Sequence, residues 1–191
     1  MAIVAILLPV VFLVSAYWVG MQESISAFYH TAMRDVFVGA VFAIGLCLYA
    51  YKGYNNLENT CLTVAGLFLF GVALAPTTAP PGNPNWDLPV VHNICAVAFF
   101  GLIAVVCIFA RNHGLQSSAN NDASYDVSYR FAYNVTAALM IVVLLVALLL
   151  QLVGKVWGIT FSSSTFWIEA ASVWVFAGYW CVKSRELKGL G

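Results

Sequence analysis

From Phe131 to Val153 the chain carries no charged side chain and scarcely a polar one, and five other stretches come close to the same condition. In hydrocarbon a backbone must satisfy its own N–H and C=O groups, so such a run folds as a helix or joins a closed barrel. These runs are continuously apolar rather than alternating every second residue, which speaks against a barrel. About 20 mainly apolar residues cross a bilayer core. On that measure six spans are predicted, at approximately Ile3 to Gly20, Arg34 to Tyr51, Thr60 to Ala75, Leu88 to Ala110, Phe131 to Val153 and Thr165 to Val182. The third is short and carries Gly66 and Gly71, and the sixth contains Glu169.

Composition agrees, since 8% of residues are charged and 62% are hydrophobic, whereas a soluble domain is about 25% charged. The expected fold is an all-α polytopic bundle of six transmembrane helices, one domain over residues 1–191 with no room for a separate soluble unit. The first run lacks a basic start and reads as a retained helix, not a cleaved leader. The five cysteines have no C-x-x-C spacing and read as small packing residues. Zero net charge, with both signs sparse, gives no footprint for nucleic acid.

Six crossings put both termini on one face. That face collects Lys52, Arg111, Arg130, Lys183, Arg185 and Lys188, and the opposite face only Arg34 and Lys155. Basic residues stay on the cytoplasmic side, so both termini are expected in the cytoplasm, and the membrane is read as a bacterial inner membrane. The cytoplasmic segment "RNHGLQSSANNDASYDVSYR" reads as a solvated loop. The outer loop "PTTAPPGNPNWDLP" is stiffened by its prolines. Trp86, Trp157 and Trp167 fall on that outer side, where indole rings favour the interface.

The outer side also gathers the unusual polar residues. The stretch "ESISAFYHTAMRDVFVG" supplies Ser24, Ser26, His30, Arg34 and Asp35; His92 lies just inside the fourth span and Glu169 about a turn inside the sixth. An ionisable group within a membrane costs on the order of 2.5–3.5 kcal/mol at the centre of a span, so Glu169 is expected to have a partner. Three readings follow. In a structural lock, Arg34 pairs with Glu169 or Asp35 and His92 bonds a neighbour, as in a subunit of a membrane complex. In a zinc hydrolase acting on a lipid or other amphiphile, His30 and His92 with Asp35 or Glu169 hold the metal and leave a position for water. A carboxylate of Asp35 or Glu169 is then the base, and Ser24 or Ser26 orients water or an oxyanion. In the third reading a membrane lipid, a quinone or another amphiphilic small molecule is held between the helices without chemistry. Gly39, Ala43 and Cys47 recur every four residues, a small-residue stripe expected to seat another helix, with Gly66, Gly71, Ala96 and Gly101 as weaker counterparts.

The run "SISAFYHTAMRDVFVGAVFAIGLCLYAYKGY", with "GVALAPT" and "HNICAVAFF", resembles a family of small bacterial six-helix membrane proteins whose function is uncharacterised, over most of the chain. A more distant, partial resemblance is to the membrane hydrolase superfamily of alkaline ceramidases and adiponectin-receptor-like proteins. That resemblance implies a zinc ion held by three His, with a Ser and an Asp, inside a helical bundle. Ser24 or Ser26, His30, Asp35 and His92 fill some of those roles. The superfamily's late H-x-x-x-H pair is absent, the last span offers Glu169 instead, and six helices stand in place of seven.

Overall fold

The structure is a computed structural model that describes residues 1–53, 55–79, 87–117, 123–157 and 164–189, with the side chains of 110–128, 155 and 187–189 outside that description. The described residues are all-helical. The helices are α1 (Ala2–Val19), α2 (Arg34–Ala50), α3 (Asn56–Leu74), α4 (Pro89–Ser117), α5 (Ala123–Trp157) and α6 (Ser164–Gly189), with a 3-10 turn, Ser26–His30, between α1 and α2. Four of them, α1, α3, α4 and α5, are long and apolar enough to cross a membrane. The 17 residues of α2 reach about 25 Å at 1.5 Å per residue, and α6 carries Glu169, three Trp and one Tyr, which lower its hydropathy.

Local signals set the helix ends. Gly20 closes α1 with φ at +82°, a left-handed conformation that glycine adopts without steric cost. Asn55 caps α3 by accepting the Glu58 N–H at 2.7 Å. Pro89 opens α4 at the first helical position, where its missing N–H costs nothing. The segment read as a solvated loop between the fourth and fifth spans is mostly helical, because α4 runs on to Ser117 and α5 begins at Ala123. Of the proline-rich loop, the described ends are tied together: Leu88 N–H donates to Pro76 O and Ala79 N–H to Asp87 Oδ2.

Each helix packs on the next in chain order, and α1 packs on α6, so the six close a ring. Trp174 Nε1–H donates to Ile6 O at 3.2 Å, tethering α6 to α1 across that closure. Ala5, Phe12, Leu48, Leu62, Ile103 and Phe176 point inward. Most of α5 faces outward, with Leu145, Leu149, Leu152 and Val156 exposed. Trp157 and Trp167 are exposed, as are Tyr17 and Trp18, while Trp86 lies outside the described residues.

The small-residue stripe needs correction. Gly39, Ala43 and Cys47 are exposed, and a Cβ on Gly39 meets nothing within 4 Å. The close approach is between α2 and α3 on another face. A Cβ on Gly66 would stand 2.6 Å from Gly45 O, and one on Gly45 would stand 3.0 Å from Gly66 O. Spacing alone picked the wrong stripe, because a four-residue repeat does not say which face meets a neighbour. Gly66→Val is therefore expected to push α2 from α3 and cost about 1–3 kcal/mol. Gly39→Ala is expected to leave stability unchanged or raise it by up to about 1 kcal/mol through helix propensity. Thermal unfolding of the two variants in detergent, side by side, checks the contrast.

Candidate functional site

The chain between α1 and α2 turns back into the bundle instead of looping over it. Phe28, fully buried at the centre of the 3-10 turn, stacks near Phe12 (ring centroids 4.7 Å) and Phe166 (6.3 Å). Phe166 N–H donates to Glu23 O at 2.8 Å, pinning the start of α6 to the same segment. These contacts carry Ser26 to Glu169. Ser26 N–H donates to Glu169 Oε2 at 3.0 Å and Ser26 Oγ–H to Oε1 at 3.1 Å. With that proton committed, Ser24 Oγ–H is left to donate to Ser26 Oγ at 3.2 Å, and Ser24 Oγ accepts Ala27 N–H at 3.0 Å. A chain of donors thus runs Ser24 to Ser26 to Glu169, ending on a half-buried carboxylate.

The two histidines do different work from that expected. His92 Nδ1 lies 2.8 Å from Ala75 O, and His30 Nε2 lies 2.8 Å from Thr77 O. A carbonyl only accepts, so both nitrogens carry the hydrogen. The rings thereby clasp, from two sides, the backbone leaving α3, and neither hydrogen-bonds a serine. His92 is buried.

Of the residues singled out from the sequence, Ser24, Ser26 and Glu169 come together and His92 lies at the same end of the bundle. Asp35 sits exposed in the first turn of α2. Among the described residues no three of His, Cys, Asp and Glu converge as a metal site. The expected zinc set of His30, His92, Asp35 and Glu169 therefore does not assemble. Each imidazole spends a nitrogen on a backbone carbonyl, Asp35 faces outward, and Ser26 occupies Glu169. Nor does Arg34 reach Glu169. Its guanidinium donates to Tyr29 Oη at 2.9 Å and lies 4.7 Å from the centroid of that ring.

Beneath these groups lies a cavity of about 110 Å³ in the middle of the ring, with walls from α1, α2, α3, α4 and α6. Its lining is almost wholly apolar, including Phe37, Leu69, Phe99 and Phe176; the polar exceptions are Ser26, His92 and Glu169. All three enter from the end where α4 and α6 begin, so one apolar space carries a polar rim.

A second polar cluster, at the opposite end of the bundle, escaped the sequence reading. Lys183, counted above as a cytoplasmic surface charge, is 1% exposed. Its Nζ lies 3.0 Å from Glu58 Oε1 and 3.8 Å from Glu186 Oε2, and Tyr133 Oη–H donates to Glu186 Oε2. Tyr179 Oη and Trp180 Nε1 are buried nearby with no hydrogen-bond partner among the described residues. The cluster joins α3, α5 and α6. The available signals were slight: the Asn55 cap marks Glu58 as the third residue of a helix, and Lys183 and Glu186 stand three apart on one helix face.

Comparison with known protein families, with curated proteins and with solved structures finds no match to this chain.

Proposed function

We propose that the chain is an integral membrane protein of six crossings, with both termini cytoplasmic, that binds a single-chain amphiphile in its central cavity without transforming it. What carries this reading is the apolar cavity lined by five helices, with Ser26, His92 and Glu169 at one end only. That is the polarity of an amphiphile: an apolar body needs dry walls, and a polar end needs a few placed hydrogen-bonding groups. The size suits part of a molecule rather than the whole, since an engineered apolar cavity of ~150 Å³ takes up one benzene ring. A reacting centre has less support. His30 and His92 are engaged by backbone carbonyls, and among the described residues no histidine is bonded to the Ser26–Glu169 pair. A bacterial inner membrane, with its lipid as solvent and source of ligand, fits the basic residues collected on one side.

The test is extraction of the protein in mild detergent and mass spectrometry of the small molecules that travel with it. Wild type is expected to carry a stoichiometric amphiphile. Ala96→Phe, which places a ring in the cavity from α4, is expected to reduce recovery roughly tenfold, a loss of about 1.4 kcal/mol. Val173→Phe does the same from α6 should Ala96→Phe disturb folding. Equal recovery from well-folded variants overturns the proposal, as does a wild-type protein that carries nothing.

A further inference from the structure

Glu169 borders a second space. A groove of about 220 Å³ runs between α5 and α6, lined by Gln151, Gly154, Thr165, Ile168 and Glu169 among others. The carboxylate therefore stands between the central cavity on one side and this more polar groove on the other. Among the described residues α5 contributes nothing to the central cavity, and the groove is where that helix meets Glu169.

The geometry points to the groove as a headgroup subsite for a cationic amine, the polar end of a long-chain alkylammonium whose apolar part lies in the central cavity. This rests on the amphiphile-binding reading above and adds the chemistry of the head. Two observations fix the sign. Glu169 receives hydrogen bonds from Ser26 and makes no ion pair with any described cation; Arg34, the nearest expected partner, is turned to Tyr29. A carboxylate has about four lone-pair sites, so acceptor capacity is left after Ser26 has donated. The groove's other polar side chains, Gln151 and Thr165, bring oxygen acceptors and no charge. An ammonium with three donors fits three such oxygens and supplies a counter-ion to the half-buried carboxylate, which has none among the described residues. A phosphate or carboxylate head meets repulsion from Glu169, and none of the described residues lining the groove is a cation that would offset it.

The test uses three probes with the same twelve-carbon chain, dodecylamine, dodecanol and dodecyl phosphate, each titrated into detergent-solubilised full-length protein stripped of its own ligand. The amine is expected to bind at least tenfold more tightly than the alcohol, and the phosphate not at all. Glu169→Gln is expected to erase the preference for the amine over the alcohol. Because Glu169→Gln also alters the contact with Ser26, the exposed Gln151→Leu provides a second variant, expected to weaken the amine several-fold with the fold intact. Equal binding of amine and alcohol, both abolished by Ala96→Phe, overturns the amine assignment and leaves the cavity reading standing. Amine binding that Ala96→Phe does not alter overturns the cavity reading instead, and binding of no probe overturns both.

Discussion

Replacing Lys183 by Met is expected to destabilise the bundle by about 3–5 kcal/mol, the usual cost of removing one partner from a buried ion pair. Lys183 is almost fully enclosed, and the variant leaves the carboxylates of Glu58 and Glu186 facing a methyl group inside the ring. The size of the effect comes from the charges left behind more than from the attraction lost. A double-mutant cycle makes this visible. Glu58→Gln with Lys183→Met is expected to cost clearly less than the sum of the two single changes, since the pair is removed together. Thermal unfolding in detergent, followed by retention on size exclusion, measures all three. Losses that simply add, or a Lys183→Met protein as stable as wild type, would show that the contact between α3 and α6 is not energetically coupled.

Phe28→Ala is expected to cost a similar amount, about 3–5 kcal/mol, as large aromatic deletions in packed interiors do. Phe28 has no exposed surface, and Phe12 and Phe166 close around it from α1 and α6. The consequence extends past stability, because the turn that Phe28 anchors is the one that delivers Ser26 to Glu169. Amphiphile recovery is therefore expected to fall in Phe28→Ala together with the unfolding midpoint. Phe28→Leu, which retains most of the buried volume, is expected to restore both in part. If Phe28→Ala lowered stability and left ligand recovery untouched, the turn would be scaffolding and not part of the site.

Both variants act at places that differ in how far the sequence revealed them. The 3-10 turn belongs to a segment whose polar residues stand out against an apolar chain, so Ser24, Ser26 and Glu169 are legible as candidates. Lys183 is not, because a lysine at the end of a span ordinarily snorkels to water. Only the closure of the ring encloses it. The histidines show the same limit. Their place on the outer side beside Asp35 and Glu169 suggests ligands, but an imidazole's role depends on which atom lies opposite each nitrogen, and here those atoms are carbonyls of Ala75 and Thr77. The α2 stripe is a third instance, since Gly39, Ala43 and Cys47 have the right period and the wrong direction.

The sequence by itself determined that this chain is helical and belongs in a membrane, because runs without charge must satisfy their backbone internally wherever water is absent. It also placed six helices in order and drew attention to Glu169, although α4, α5 and α6 run well beyond the predicted spans. The tertiary structure alone decided which polar groups meet. Partnership between Ser26 and Glu169, or Glu58 and Lys183, joins residues more than a hundred positions apart. Such pairings are set by the order in which six helices close a ring and by the face each turns inward, neither of which leaves a local trace in the chain.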